Sequence, residues 1–174
     1  MEAIYAIDIK NGLSKGGFLP WKSKKDLKFF ANKTYNNVVI MGKNTYFSLP
    51  QNIRPLKNRL NIVLTSKPED FLHNETSNLL FTNNQNIHEY IINNRENYMK
   101  ICSSLSIDFK IFFIGGKTIY EKYIPICEKV WVTQIKKDYS CDLLLNYDFS
   151  KQFKEPKIID DDDELKIILY EKNN

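Results

Sequence analysis

Residues 38–45, Val-Val-Ile-Met-Gly-Lys-Asn-Thr, decide the fold class of this chain. Their first four side chains are all apolar, which is typical of a strand that is covered on both faces. Gly42 follows, and a short helix is then predicted from about Lys43 to Leu49, with a basic residue and a hydroxyl in its first turn. A strand, a glycine and a helix start can together bind an anion, although the same arrangement is about as often purely structural.

Apolar strands and helical patterns alternate on both sides of this stretch. Ser23 is the predicted N-cap of a helix that ends at Thr34, because its hydroxyl can accept a backbone N–H of the first turn. The alternation predicts an α/β protein with one mostly parallel sheet and helices on both faces. Further strands are predicted at residues 3–7, 59–65, 110–114, 130–135 and 166–170, and further helices at 87–92 and 118–123.

The C-terminal region is expected to close the sheet. The strand at 166–170 is predicted to form an antiparallel edge pair with residues 152–159. The acidic run at 160–164, Asp-Asp-Asp-Asp-Glu, is predicted to be a solvated hairpin turn between them. There is no internal repeat.

Composition and charge exclude several classes of protein. The 174 residues carry 25 basic and 21 acidic side chains, a net charge of +4. This excess is too small and scattered to indicate nucleic-acid binding, but it would suit an anionic small ligand. No apolar run approaches the roughly 20 residues that a membrane helix needs, and the N-terminus lacks the features of a signal peptide. No metal site is expected. Cys102, Cys127 and Cys141 are widely spaced with no Cys-x-x-Cys pair, which predicts reduced thiols and a cytoplasmic location.

Residues 19–30, Leu-Pro-Trp-Lys-Ser-Lys-Lys-Asp-Leu-Lys-Phe-Phe, place a single carboxylate on the first turn of a helix. Leu27 is next to Asp26 in the sequence, Phe30 lies one helical turn later, and Trp21 precedes both. The carboxylate is therefore expected to be surrounded by apolar side chains. A charge in such surroundings is strongly unfavourable unless a cation or a hydrogen-bond donor meets it. This predicts a functional acid, against the simpler alternative that Asp26 caps its helix.

A second junction of strand, glycine and helix lies at residues 114–120, Ile-Gly-Gly-Lys-Thr-Ile-Tyr. Paired glycines let backbone amides approach a phosphate, and a helix N-terminus adds a favourable dipole, but paired glycines at a strand end are more often structural. Together with residues 42–45 and with Thr65-Ser66-Lys67, this junction indicates a ligand with several phosphates, such as a dinucleotide. The Gly-x-Gly-x-x-Gly signature of the common dinucleotide fold is absent.

Arg59 starts a predicted strand, where its guanidinium could be held rigidly for a bidentate contact with a carboxylate. An exposed arginine in the basic loop 54–59 is the more common outcome for such a pattern. Both alternatives stay open on these residues alone.

Taken together, these segments resemble the dihydrofolate reductase family. The motifs in the family's order and approximate spacing are residues 19–21, 41–45, 48–50, 54–59 and 114–116, with Asp26 and Thr133. The resemblance covers about residues 3–67 and 108–142, and it leaves residues 68–105 unmatched. It implies one domain over residues 1–174, built on a mostly parallel eight-stranded sheet with an antiparallel C-terminal edge strand and about four flanking helices. The implied reaction is the NADPH-dependent reduction of 7,8-dihydrofolate to tetrahydrofolate, by hydride transfer to C6 with protonation at N5.

The resemblance also implies a substrate site and a cofactor site. Asp26 would bind N3 and the 2-amino group of the pterin and support protonation at N5, with Thr133 hydrogen-bonded to it and Trp21 holding an ordered water. Arg59 would bind the α-carboxylate of the glutamate tail. The pterin and aminobenzoyl rings would lie against Ile4, Tyr5, Ala6, Leu27, Phe30, Leu49, Leu56 and Ile114. NADPH would lie against Ala6, Leu13, Ser14, Gly17, Leu19, Gly42, Lys43, Asn44, Thr45, Leu64, Thr65, Ser66, Gly115, Gly116, Lys117, Thr118, Ile119 and Tyr120.

Three positions depart from the family pattern. Ser14 stands where the family usually has a glycine in the loop that closes over the nicotinamide, and Asn44 stands at a position that is often basic. Leu143 replaces a residue with a hydroxyl, although Asp142 before it can still anchor the loop. These departures bear on loop closure and speed more than on the activity itself. The peptide bond after Gly115 is expected to be cis.

Two alternatives accompany the folate reaction. A reductase of riboflavin synthesis shares the fold and NADPH, but it lacks the wall around Asp26 and an arginine like Arg59. A catalytically inactive folate- or nucleotide-binding scaffold, such as a reductase half once fused to thymidylate synthase, is opposed by the retained Asp26, Thr133 and Arg59. The resemblance further implies a monomer that antifolates such as methotrexate inhibit.

Overall fold

The computed structural model describes all residues from 1 to 174. Its strands are β1 (Glu2–Asp8), β2 (Gly12–Ser14), β3 (Val38–Gly42), β4 (Leu60–Leu64), β5 (Leu79–Thr82), β6 (Ile111–Phe113), β7 (Lys129–Ile135), β8 (Leu143–Leu144), β9 (Lys157–Asp161) and β10 (Leu165–Glu171). Its α-helices are α1 (Lys24–Thr34), α2 (Lys43–Ser48), α3 (Ile87–Asn93), α4 (Arg95–Ile101) and α5 (Lys117–Tyr123), and two short 3-10 helices span Pro68–Asn74 and Ile124–Ile126.

Eight strands form the main sheet in the order β5-β4-β3-β6-β1-β7-β10-β9, and β2 pairs with β8 in a separate two-stranded ribbon. The pairs β1–β7, β3–β4, β3–β6 and β4–β5 are parallel, whereas β10 runs antiparallel to both β7 and β9. The predicted α/β class and the mostly parallel eight-stranded sheet are confirmed. The helix α4, in the segment that no motif covered, is one more than the four that were expected.

The chain divides into two compact units, residues 1–31 with 117–174 and residues 32–116. The first unit contains β1, β7, β10 and β9, the β2–β8 ribbon, most of α1, and α5. The second contains β3 to β6 with α2, α3 and α4. The single domain expected over residues 1–174 stays a prediction.

In the first unit, the register of the parallel strands positions the start of α1. Ala6 of β1 lies opposite Thr133 of β7. Ser23 caps α1 as predicted, because the Asp26 N–H donates to the Ser23 hydroxyl oxygen at 3.1 Å. A buried cluster beside this turn consists of Trp21, Ile135, Leu165 and Ile167, with Ala6 packed against it. The cap and the cluster together fix the direction of the first helical turn.

In the second unit, the unbroken apolar run of residues 38–41 is wholly buried, as predicted for a strand with parallel neighbours on both sides. Asn61 is a buried polar residue in β4. Its side-chain amide donates to the carbonyls of Leu56, Arg59 and Asn78 at 2.9, 3.2 and 3.1 Å, and its oxygen accepts the Leu56 N–H at 3.0 Å. These bonds fasten the preceding turn to the strand and so fix the backbone that carries Arg59.

The C-terminal hairpin differs in detail from the prediction. The strand that pairs with β10 spans residues 157–161 instead of 152–159, and β9 rather than β10 forms the edge of the sheet. Asp160 therefore lies in a strand, and only the end of the acidic run turns. The Lys25 ammonium group of α1 pairs with Asp160 at 2.8 Å and also with Asp162. A cationic partner on a distant element explains why these acids do not form a purely solvated turn.

No helix of the structure combines the length and the apolar character that crossing a membrane requires.

Candidate active site

Asp26 lies in the first turn of α1 and is only 9% exposed. The Thr133 hydroxyl, in β7 and itself buried, forms a hydrogen bond with the Asp26 carboxylate. Burial raises the pKa of this carboxyl, the Thr133 hydrogen bond acts against that rise, and the nearby charge of Glu164 adds to it. The net effect is a raised pKa. The structure therefore places one poorly solvated carboxylate with a single neutral donor at this position.

Trp21 is buried immediately before the helix and packs edge-on against Tyr139, with 5.7 Å between the ring centroids. Its indole Nε1 is buried and has no hydrogen-bond partner among the protein atoms. A buried N–H of this kind is normally satisfied by a partner. The ring thus presents an unused donor next to the segment that carries Asp26.

The strand β1 presents different residues on its two faces, because side chains alternate along a strand. Ala6, opposite Thr133, lies on the face of Asp26, together with Ile4 two residues before it. Tyr5, opposite Val132, lies on the other face, where it lines a cavity of about 340 Å³ with Tyr147 and Tyr170 among others. Tyr5 was expected in the substrate site, but its side chain lies on the face of β1 opposite to that of Ala6.

Two residues of α5 belong to the packing of β1. The Tyr120 hydroxyl donates to the carbonyl oxygen of Ile4 at 3.0 Å, and the rings of Tyr120 and Tyr5 lie 4.8 Å apart. Ile119 is also buried. At the start of the same helix Thr118 is exposed and Lys117 is half-buried, with its ammonium group 3.8 Å from Glu121.

The loop after β1 contains four of the residues predicted to contact the cofactor. Leu13 is buried, Ser14 is half-buried, and Gly17 and Leu19 are exposed. The β2–β8 ribbon holds the first part of the loop, with Ser14 opposite Leu143. Asp142 holds its tip, because its carboxylate accepts the Gly16 N–H at 2.9 Å. The anchoring role expected for Asp142 is therefore confirmed.

In the second unit, the two glycine junctions lie together. The Gly42 N–H donates to the Gly115 carbonyl at 2.8 Å, and the peptide bond from Gly115 to Gly116 is cis, as expected. A Cβ atom on Gly116 would lie 3.2 Å from the Thr45 hydroxyl oxygen. A side chain at residue 116 would thus crowd the first turn of α2, so glycine is the residue that allows the two junctions to approach this closely.

The other predicted contacts of the second unit lie at strand ends. Lys43 and Asn44 begin α2 directly after β3 and are exposed. Leu64 ends β4, Thr65 is buried after it, and Ser66 is exposed. Cations and hydroxyls at the carboxyl ends of neighbouring parallel strands are suited to phosphate groups.

Arg59 is 6% exposed, so the guanidinium is held inside the fold and is not a surface charge. Its Nε donates to the Thr34 hydroxyl at 2.9 Å, a second nitrogen donates to the Lys57 carbonyl at 2.9 Å, and the group stands 5.1 Å from the Tyr35 ring centre. Burial lowers the pKa of Arg59, and the neighbouring Tyr35 acts in the opposite direction. The exposed alternative for Arg59 is wrong.

The apolar residues predicted to contact the substrate rings differ in exposure. Leu56 and Ile114 are buried, Leu49 and Phe30 are half-buried, and Leu27 is 61% exposed. Arg54 supports Leu49, since its guanidinium donates to the carbonyls of Phe47 and Leu49 at 3.0 and 2.9 Å.

Thr34 and Tyr35, which position Arg59, were not predicted. No signal in the sequence linked them to a residue in another motif. Asp8, at the end of β1, was also missed, although an acid that ends a buried strand is a recognisable feature.

Comparison with known proteins identifies the group to which the chain is related. The family model described as dihydrofolate reductase matches residues 1–171. A putative dihydrofolate reductase of Caenorhabditis elegans is 33% identical over 88% of this chain and 82% of its own length. The dihydrofolate reductase of Drosophila melanogaster is 32% identical over 80% of this chain and 75% of that protein. The chain belongs to the dihydrofolate reductase family.

A solved structure agrees with this assignment. The dihydrofolate reductase of Enterococcus faecalis, in complex with NADP(H) and RAB-propyl, matches with a TM-score of 0.70 and 25% identity, covering 99% of this chain and 96% of that one. A bifunctional dihydrofolate reductase-thymidylate synthase of Zea mays is 35% identical, but the match covers only 26% of that protein. The protein is an NADPH-dependent oxidoreductase that reduces dihydrofolate to tetrahydrofolate.

Proposed function

We propose that Asp26 promotes the reduction by favouring a proton on N5 of dihydrofolate, so that hydride transfer to C6 can follow. A neutral pterin is a poor hydride acceptor, and protonation at N5 makes C6 electrophilic. The carboxylate binds N3 and the 2-amino group and favours the cationic pterin through its charge, without contact with N5. The observation that carries this proposal is the buried Asp26 carboxylate hydrogen-bonded to Thr133.

Thr133 and Trp21 would complete the acid's surroundings. The Thr133 hydroxyl would orient the carboxylate, because it is the hydrogen-bonding group that lowers the pKa of Asp26 against the effect of burial. The buried Trp21 Nε1 supports an ordered water at this site, since that donor has no protein partner. Such a water gives the proton a route into a region that is otherwise apolar.

The glycine junctions support binding of NADPH, which supplies the hydride when it is bound. The Gly42 N–H bond to the Gly115 carbonyl holds the two junctions together, and Gly116 keeps them free of a side chain that would meet Thr45. The exposed Lys43, with Ser66 and Lys67 after β4, would bind the 2′-phosphate of the adenosine. The remaining cofactor contacts would come from the loop of residues 12–19 and from the first turn of α5.

Arg59 would bind the α-carboxylate of the glutamate tail. Thr34 and Lys57 hold two of its nitrogens, which fixes the plane of the guanidinium. A fixed guanidinium can form a charge-assisted contact with a carboxylate at little entropic cost. The rings of the substrate would then lie against Ile4, Ala6, Leu27, Phe30, Leu49, Leu56 and Ile114.

We further propose a monomer in the cytoplasm, inhibited by methotrexate. The three unpaired cysteines suit a reducing compartment. Methotrexate carries the pterin-like ring and glutamate tail that Asp26 and Arg59 would bind. Light scattering on the protein as it elutes from a size-exclusion column measures its mass and so tests whether it is a monomer. Inhibition of NADPH oxidation by methotrexate tests whether methotrexate binds.

An absorbance assay distinguishes an active reductase from the alternative, a catalytically inactive binding scaffold. The purified protein with NADPH and dihydrofolate should consume both in equal amounts and form tetrahydrofolate. Replacing dihydrofolate with a riboflavin-pathway intermediate should abolish NADPH consumption. Binding of both ligands without turnover would instead support the inactive scaffold.

A further inference from the structure

Asp8 ends β1, and its carboxylate is completely buried. One carboxylate oxygen accepts the N–H groups of Lys10 and Gly12 at 2.9 and 2.7 Å, and the other accepts the Tyr139 N–H at 3.0 Å. The Cys141 thiol also forms a hydrogen bond with this carboxylate. A single side chain therefore fastens two segments that are far apart in the sequence, namely the loop of residues 9–19 and the turn of residues 138–142.

Gly12 shows how closely these two segments approach each other. A Cβ atom on Gly12 would lie 2.5 Å from the Cys141 Cβ, 2.6 Å from its sulfur and 2.8 Å from the Asp8 Cγ. Such distances are far shorter than any normal contact, so only glycine allows this approach. The loop and the turn are thus held together by both hydrogen bonds and packing.

Further contacts continue the connection beyond Asp8. The β2–β8 ribbon pairs Ser14 with Leu143, and Asp142 accepts the Gly16 N–H at 2.9 Å. The loop that receives these bonds contains Leu13, Ser14, Gly17 and Leu19, all predicted to contact NADPH. Asp8 holds the base of this loop, at the point where the chain leaves the sheet.

We propose that Asp8 is a positioning residue for the cofactor, because its carboxylate fixes the 9–19 loop against the 138–142 turn in the conformation that binds NADPH. The proposal rests on the proposed function for the identity of the ligand. Asp8 itself contacts no ligand, and it acts through the loop. A loop that is held in its binding conformation before the ligand arrives loses less entropy on binding.

The substitution Asp8→Asn is a sharp test, since it keeps the shape of the side chain and removes one hydrogen-bond acceptor. A carboxylate accepts at both oxygens, whereas an amide presents an NH₂ group at one of them. In one orientation this NH₂ faces the Tyr139 N–H, and in the other it faces the N–H groups of Lys10 and Gly12. Either orientation sets donor against donor and separates the loop from the turn.

Asp8→Asn should raise the dissociation constant for NADPH by about tenfold, measured by quenching of tryptophan fluorescence, while KM for dihydrofolate stays within about twofold. Hydrogen exchange without any ligand should show faster exchange at Gly16 and unchanged exchange in β3 and β4. Asp138→Asn is the matched control, since it removes a charge from the same turn, where Asp138 accepts only the exposed Ser140 N–H at 2.8 Å. This control should leave the dissociation constant for NADPH, KM for dihydrofolate and the hydrogen exchange at Gly16 unchanged.

Unchanged NADPH affinity and unchanged Gly16 exchange in a folded Asp8→Asn protein would overturn the proposal. If that variant does not fold, Gly12→Ala separates the same segments from the other side and should give the same two changes; normal NADPH affinity there would equally overturn it. The exchange measurement needs no ligand, so absence of dihydrofolate turnover in the parent protein would refute the proposed function without affecting this result.

Discussion

Asp26 and Asp8 are both buried carboxylates of the first unit, yet their surroundings shift their pKa values in opposite directions. Burial acts to raise the pKa of both. At Asp26 the Thr133 hydroxyl offsets only part of that rise. At Asp8 the N–H groups of Tyr139, Gly12 and Lys10, with the Cys141 thiol, more than offset it and lower the pKa.

The difference shows that the number of donors, more than burial, sets the direction in which the pKa of a buried carboxyl group shifts. A carboxylate with several N–H donors is stable as an anion and has little capacity left for a ligand. A carboxylate with one hydroxyl donor is costly in the free protein and gains most when a cationic or hydrogen-bonding ligand arrives. We therefore expect the same residue type to bind substrate at one site and to fasten a loop at the other.

Removal of the charge of Asp26 should have the largest effect on the reaction. Asp26→Asn should lower the hydride-transfer rate at neutral pH by about 10²–10⁴-fold, because it removes the charge that favours the protonated pterin. Asp8→Asn should lower the same rate far less at saturating NADPH. Single-turnover kinetics with both variants measures this contrast, and equal losses would show that the two acids do not differ in kind.

Arg59 tests whether a buried charged residue other than Asp26 and Asp8 also binds the substrate. Arg59→Leu should weaken the interaction with dihydrofolate by about 2–5 kcal/mol, because the substrate carboxylate would lose its partner. KM for a pteridine without the glutamate tail should barely change. Steady-state kinetics with the two substrates distinguishes the roles, since equal damage with both would make Arg59 structural.

Lys43 is an exposed charge and should have a smaller effect. The parent protein should prefer NADPH to NADH by at least about tenfold, since charge-assisted bonds to a phosphate contribute about 1.5–3 kcal/mol each. Lys43→Ala should lose most of this preference, whereas Lys151→Ala, which removes an exposed cation outside the proposed cofactor site, should keep it. Equal kcat/KM for the two cofactors in the parent would contradict the phosphate site.

Stability should respond to the two acids with opposite signs, by about 1 kcal/mol or about 2–4 °C in Tm for a chain of this length. The pKa of Asp8 is lowered from 3.8, so its charge stabilises the fold above that value and the contribution is lost as pH falls through the lowered pKa. The pKa of Asp26 is raised from 3.8, so its charge destabilises the fold as pH rises through the raised pKa. At pH 7, Asp8→Asn should therefore lower Tm and Asp26→Asn should raise it. Thermal unfolding measures both, and a fall in Tm for Asp26→Asn would indicate that its role is helix capping.

The features that the sequence predicted correctly depend on neighbouring residues. The apolar run of β3 and the Ser23 cap are local patterns, and both were confirmed. The alternation of side chains along β1 could also be recognised from the sequence. It would have predicted that the Tyr5 side chain lies on the face of β1 opposite to that of Asp26. Local patterns therefore located the strands, the cap and the glycine junctions.

The features that were missed depend on partners far along the chain. Asp8 receives the Tyr139 N–H across 131 residues, and the β9 boundary depends on Lys25, which pairs with Asp160. Tyr35 and Thr34 become partners of Arg59 only when the second unit is folded. Hydrogen bonds between distant residues leave no periodic signal, so only the structure could show them.

The pH dependence of hydride transfer in Asp26→Asn tests the central claim most directly. If the carboxylate acts by favouring the proton on N5, the variant depends on substrate that is already protonated in solution. Its hydride-transfer rate should then be low at neutral pH and should approach that of the parent as pH falls, with NADPH affinity almost unchanged. Near-normal hydride transfer in Asp26→Asn at neutral pH would contradict the account.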